Sequence, residues 1–83
     1  MSYFIYMLRC SDDTLYTGIT TDIQRRIKEH NFSDKGAKYT KLRRPVILVY
    51  SEASKSRSSA SKREYEIKKM SREKKMKLFE KDF

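Results

Sequence analysis

Short apolar runs separated by polar, basic stretches set out the elements of this chain. Ser2 to Cys10 (SYFIYMLRC) is aromatic and aliphatic almost throughout and contains no helix breaker, the pattern of a strand covered on both faces. The polar cluster Ser11-Asp12-Asp13-Thr14 marks a turn, and Leu15 to Thr20 (LYTGIT) is a second β-branched and aromatic run, so the two predict an antiparallel hairpin. Gly18 interrupts that second strand, which signals a bulge or a group that must pass close by. Thr21-Asp22-Ile23-Gln24 fits a capping box with Thr21 as the cap, opening a helix over about 22–30. Ile23 and Ile27 form its apolar side and His30 continues their line. Arg26, three residues after Ile23 and four before His30, points with His30 along one edge of the buried face, while Arg25, Lys28 and Glu29 fall on more solvated positions.

Asn31 to Arg44 is polar and basic and contains Gly36, so it reads as a loop carrying Tyr39. Pro45 then opens Val46-Ile47-Leu48-Val49-Tyr50, whose unbroken apolar character predicts a central, buried strand. From Ser54 the chain turns serine-rich and then helical. One helix is expected from Ser58 or Ser59 to Met70 and another from about Arg72 to Lys81, with Ser71 as the N-cap of the latter. Ala60, Glu64, Ile67 and Ser71 share a stripe on the first, which places Glu64 on an apolar face; Met76 and Phe79, flanked by Leu78, give the second a narrow packed side. The predicted fold is α/β in composition, of the α+β kind: a small three-stranded antiparallel sheet from residues 2–10, 15–20 and 46–50, flanked by three helices near 22–30, 58–70 and 72–81. It forms a single domain over 1–83, with a basic helical part from about residue 54.

Composition narrows the possible functions. With 83 residues and 37% hydrophobic content there is little apolar material for a second domain or an enclosed cofactor cavity. The single Cys10 excludes an internal disulfide and a multi-cysteine zinc site, suits a reducing compartment and is expected to be a small packing residue. No stretch approaches the ~20 apolar residues of a membrane span, and the N-terminus lacks a leader pattern, so the expected location is the cytoplasm. The net charge is +9, of which +6 lies in residues 54–83, where 11 basic side chains face 5 acidic ones. Nucleic acid is the default partner for such a chain, ahead of an anionic membrane, although a well-solvated helical surface accounts for charge alone.

Three polar residues occupy costly positions beside apolar stripes: Arg26, His30 and Glu64. A carboxylate among Ala and Ile needs a cation, either Arg26 in a buried ion pair or a metal. His30, taken alone, is a helix-end histidine favoured by the C-terminal dipole. The six tyrosines, Tyr3, Tyr6, Tyr16, Tyr39, Tyr50 and Tyr65, taken singly, fill core edges with the hydroxyl reaching water.

Their order along the chain is more telling. Phe4-Ile5-Tyr6 on the first strand, Tyr16-Thr17-Gly18 on the second, Asp22-Ile23, Arg26 and His30 on the helix, and Ala60-Ser61-Lys62-Arg63-Glu64 on a later helix resemble the GIY-YIG nuclease domain superfamily. Gly36 to Thr40 (GAKYT), Arg43 to Val46 (RRPV) and Ala60 to Lys68 are similar to the small stand-alone UPF0213 group within it. Phe4 and Thr17 depart from the family's glycine and isoleucine, Ile19 stands where a lysine often follows, and Lys68-Lys69-Met70-Ser71 offers no asparagine after the glutamate helix.

The resemblance implies hydrolysis of a phosphodiester. Glu64 is then the ligand of one Mg²⁺ or Mn²⁺, Tyr6 or Tyr16 orients or deprotonates the attacking water, a neutral His30 draws off the proton, and Arg26 stabilises the transition state. Gly18 would let backbone or DNA come close, and Lys35, Lys38, Tyr39, Lys41, Arg43 and Arg44 would follow the backbone without reading bases. The expected function is a metal-dependent DNA endonuclease of low sequence specificity, directed to branched, damaged or single-stranded structures of repair and recombination. RNA stays open as a substrate, and no protein partner is predictable. Two other readings carry weight: a catalytically weak or inactive nucleic-acid-binding module of the same fold, and a structural domain held by a buried Arg26–Glu64 pair.

Overall fold

The first apolar run becomes the centre of the sheet. In the computed structural model, which describes residues 2–80, β1 (Tyr3–Arg9) pairs antiparallel with β2 (Leu15–Thr20) on one side and β3 (Ile47–Ser54) on the other, giving the order β2-β1-β3. The β1–β2 ladder sets Phe4 opposite Thr20 and Tyr6 opposite Gly18, while the β1–β3 ladder shifts register between Met7 and Leu8. Strand side chains alternate, so Ile5 and Met7 join Ala60 and Ile67 in one buried cluster, and Tyr6 and Leu8 join Cys10 and Val46 in another. Both faces of β1 are covered, and Cys10 packs as the sequence predicts.

β3 corrects the expectation of a central strand over 46–50. It is an edge strand that runs on to Ser54, with Ile47 57% and Leu48 40% exposed. Only Val46, just before the strand, is buried in that part of the run.

Among the described residues four helices complete the fold: α1 (Ile23–Phe32), α2 (Lys38–Lys41), α3 (Arg57–Lys69) and α4 (Arg72–Lys77). The cap of α1 is Asp22 rather than Thr21: its carboxylate accepts the Arg25 N–H at 3.1 Å, and the Thr20 hydroxyl accepts the Asp22 N–H at 3.1 Å. Residues 31–44, expected to form only a loop, contain the single turn of α2. α3 starts earlier than predicted because Ser56 and Ser59 cap it reciprocally. Ser71 caps α4 as expected, but that helix stops at Lys77, and the predicted end at Lys81 lies outside the described residues. Met70, Leu78 and Phe79 seat this end of the chain on the Ile5–Met7 cluster.

Two clamps fix the end of α1, and with it His30. Arg44 donates from its guanidinium to the carbonyls of His30 and Ser33 at the end of the helix, and to that of Glu29, which also accepts the Ser33 N–H. The Asn31 side chain exchanges two hydrogen bonds with the backbone of Val46, at 3.0 and 2.7 Å, tying the helix to the start of β3. Among the described residues no helix is long and apolar enough to cross a membrane.

Candidate active site

The site is built where the buried face of α1 meets β1. His30, fully buried, reaches the middle of the sheet, and its Nε2 lies 2.7 Å from the Tyr6 hydroxyl. Its Nδ1 lies 2.8 Å from the Thr40 hydroxyl. Thr40 has one hydroxyl proton, and it donates that to the Ala37 carbonyl at 2.9 Å, leaving the oxygen to accept from His30. His30 therefore carries its proton on Nδ1 and presents a bare Nε2, so Tyr6 is the donor to it; this tautomer is assigned from the network. The result is a directed chain, Tyr6 to His30 to Thr40 to Ala37.

The surroundings hold this chain neutral. Burial pushes the Tyr6 phenol up to about 12, with Tyr16 and Glu64 adding to the rise and the Arg26 guanidinium pulling the other way. Burial brings His30 down to about 4, and the positive charges of Arg26 and Arg44 deepen the fall against a smaller pull from Glu29. His30 thus rests as imidazole rather than imidazolium, which overturns the view of it as a dipole-stabilised cation at a helix end.

Gly18 is what admits the Tyr6 ring. A β-carbon there would sit 2.5 Å from the Tyr6 hydroxyl and 2.7 Å from the ring carbon that bears it. The close approach read from the sequence is real, but the visitor is Tyr6. Since Gly18 is itself buried, its expected contact with nucleic acid is replaced by this packing role.

Arg26 stands beside the phenol. Its guanidinium donates to the Glu29 carboxylate at 2.8 Å and to the Lys35 carbonyl at 2.8 Å. Glu29, expected on a solvated face, is half-buried and positions Arg26, while the carboxylate is held below the usual range by that contact. Glu64 takes Lys68 as its ion-pair partner at 3.3 Å, so the buried Arg26–Glu64 pair does not form. The structural-domain reading loses the contact on which it depended.

The Glu64 side chain is 22% exposed, which leaves it open to solvent rather than sealed among Ala and Ile as its stripe suggested. Among the described residues no group of three or more His, Cys, Asp or Glu side chains converges on a metal position. A single accessible carboxylate near Tyr6 suits a hard, largely hydrated cation of the Mg²⁺ or Mn²⁺ kind, whose remaining ligands are water and phosphate oxygens, and does not suit zinc. The residues present therefore fit the cation that the family resemblance implies at Glu64.

Tyr16 takes a supporting position. Its ring meets His30 edge-on, with centroids 5.2 Å apart, and stacks on Tyr39 at 6.0 Å. The other side of Tyr39 is covered by Arg43, whose guanidinium carbon lies 3.9 Å from the ring centroid and which is anchored to Asp12 at 3.0 Å. Tyr39 is consequently a wall behind Tyr16 rather than an open platform for a base. Arg44 likewise caps α1 instead of facing a partner, which corrects its expected place on the backbone-following surface. Lys35, Lys38 and Lys41 remain exposed and able to meet phosphates.

Thr40 is the site residue that sequence reasoning missed. Its only sequence signal was membership of the Gly36–Thr40 stretch, since a threonine in a polar loop otherwise reads as surface. Thr40→Val keeps the shape and leaves the buried His30 Nδ1–H without an acceptor, a loss of about 1–3 kcal/mol. In a domain of this size the midpoint of thermal unfolding should fall by roughly 4–24 °C. Imidazole nitrogen chemical shifts should also show the second tautomer appearing. An unchanged melting curve with unchanged shifts would remove Thr40 from the chain.

Comparison with known proteins gives one consistent result. A family model described as the GIY-YIG catalytic domain matches residues 2–77. A UPF0213 protein of Desulfotalea psychrophila is 63% identical over 70 residues, which cover 84% of this chain and 64% of that relative's length. One from Staphylococcus haemolyticus is 54% identical over 78 residues, covering 94% of each. The solution NMR structure of a UPF0213 protein from Bacillus halodurans matches with a TM-score of 0.59 at 50% identity, over 94% of this chain and 82% of that one. That of a protein from E. faecalis matches with a TM-score of 0.65 at 44% identity, over 93% and 81%.

Proposed function

The chain belongs to the GIY-YIG catalytic domain family, and from that premise we propose that it is a metal-dependent DNA endonuclease of low sequence specificity. The observation that carries this proposal is the directed Tyr6–His30–Thr40 chain, with Arg26 against the phenol and Glu64 within electrostatic reach of it.

Each residue then has a task. A divalent cation, when bound at Glu64, supplies positive charge against the phosphate and the departing 3′ oxygen. The Tyr6 oxygen accepts a hydrogen from the attacking water and orients it: its own proton points at His30, Arg26 takes one acceptor position, and the other is left for the water. As the water loses its proton to Tyr6, the phenol passes its own to Nε2 of His30. Arg26 offers guanidinium donors to the charge that gathers on the phosphate.

At rest the relay is poorly poised, with a phenol near 12 donating to an imidazole near 4. Substrate improves the match. Part of the depression of His30 comes from the positive charge of Arg26, and an anionic phosphate placed on Arg26 offsets that charge and makes Nε2 more basic. The base is thereby strengthened by the phosphate it serves, and an empty site stays neutral.

The test is nicking of supercoiled plasmid by purified protein with Mg²⁺ or Mn²⁺, with chelator as the control, repeated on branched, nicked and single-stranded DNA. Cleavage that chelator abolishes is expected, and Arg26→Ala and Glu64→Ala should each lower it at least ~100-fold. Equal nicking by all three proteins would assign the activity to a contaminant. Binding with a steep salt dependence and no nicking would select the alternative, a nucleic-acid-binding module; the absence of a lysine at Ile19 favours that alternative.

A further inference from the structure

Beside the Tyr6–His30 site, where β2 runs into α1, lies a cleft of about 320 Å³. Arg25 and Arg26 of α1 and Arg57 of α3 line it with Glu29, and Tyr3 and Ile19 add a more apolar wall. Arg26 belongs to both places. Arg25 and Arg57 have so far had no task.

The cleft is strongly biased toward an anion. Three guanidinium groups face one carboxylate, and Glu29 is already engaged with Arg26 at 2.8 Å and Arg25 at 3.7 Å. Guanidinium forks match phosphate oxygens in shape as well as charge. The Tyr3–Ile19 wall fits something with a less polar part as well, such as a sugar ring. The volume lies at the small end of ligand clefts, the size of one nucleotide unit rather than a duplex segment. No Asn or Gln lines it, so it lacks the side chains that pair with adenine edges.

We propose that this cleft is a nucleotide subsite, in which Arg25 and Arg57 hold the phosphate next to the one that is cut and the Tyr3–Ile19 wall packs its deoxyribose. This rests on the nuclease reading and gives the strand a path: Arg26 is the hinge between the held phosphate and the reacting one. It also gives weak sequence selectivity a physical source, since the grip is on phosphate and sugar.

Anisotropy of a labelled oligodeoxynucleotide, measured without metal on the Glu64→Ala protein across a salt series, reads binding apart from cleavage. Adding R25A and R57A together should weaken binding at least ~10-fold and flatten the slope of log K against log salt by about 1, the loss of the one phosphate contact they share. Both side chains are solvent-exposed, so the variant should fold as its parent does. K74A/K75A, removing equal charge from α4, should flatten it much less, because the first residue of α4, Arg72, is bonded to Asp13 in the β1–β2 turn, at the far end of β1 from Tyr3. Equal losses from the two double variants, or an unchanged slope with R25A/R57A, overturn the subsite and leave the nuclease reading standing. An oligonucleotide held through Arg25 and Arg57 by a wild-type protein that never nicks DNA supports the subsite and overturns the nuclease reading.

Discussion

Tyr6→Phe is expected to lower DNA cleavage by roughly 10²- to 10⁴-fold, the range that a positioned proton-transfer group contributes. The loss should appear in kcat with little change in KM, because the phenol is assigned to the water and not to holding the strand. The variant keeps the ring that fills the space above Gly18, so the fold should persist. Its stability should fall by about 1–3 kcal/mol, since the buried Nε2 of His30 loses its only donor among the described residues. Tyr16→Phe is the comparison that gives this experiment its force. The Tyr16 ring touches both Tyr6 and His30, yet its hydroxyl makes no hydrogen bond to His30, so its removal should cost far less. Sequence left the choice of base between these tyrosines open; the directed bond to His30 favours Tyr6. Comparable kcat losses in the two variants would take the relay away from Tyr6.

How much of this was readable beforehand depended on whether the deciding contact was local. The spacing of Ile23, Arg26, Ile27 and His30 sets one helical face, so the pairing of Arg26 with His30 could be read from periodicity. β1 and β3 begin as equally apolar runs, and nothing within either tells which one will lie at the centre. That was decided by α1 and α3 covering β1 from opposite faces, while β3 pairs on one side only and leaves Ile47 in solvent. Glu64 was placed on the correct stripe with Ala60 and Ile67, but its angular position at the rim of that stripe gives it Lys68 and water instead of Arg26. Arg44 and Arg43 show the sharper limit. In a basic loop every arginine looks alike, and only the folded chain distinguishes the one that caps α1 from the one that covers Tyr39. Thr40 was hidden for the same reason: its value comes from the residue it faces, ten positions earlier in the chain.

The buried histidine also ties the stability of the domain to pH in a defined window. In the unfolded chain His30 titrates near 6.5, whereas in the folded protein it does so at about 4. Above pH 6.5 both states hold it neutral and it imposes no penalty. As the pH falls from 6.5 toward 4, the unfolded chain takes up a proton that the folded protein refuses, so stability is lost progressively, by up to about 3 kcal/mol, and this contribution levels off below the folded value. The charges that set the folded value are Arg26 and Arg44, which lower it, and Glu29, which raises it. Glu29 and Asp12, both held below the usual carboxylate range, lose their own favourable contacts as they protonate at the acid end, so the slope must be measured by difference. His30→Gln supplies that difference. The variant will be less stable at neutral pH, but its melting temperature should vary less between pH 6.5 and 4 than that of the wild type. Activity should follow the same logic. With a base titrating near 4 in the free protein, the acid limb of kcat/KM should lie well below the pH 6–7 limb of an ordinary histidine. A limb near 6.5, together with parallel stability curves for wild type and His30→Gln, would mean that His30 is not held as a neutral, buried acceptor and that the proton leaves the water by another route.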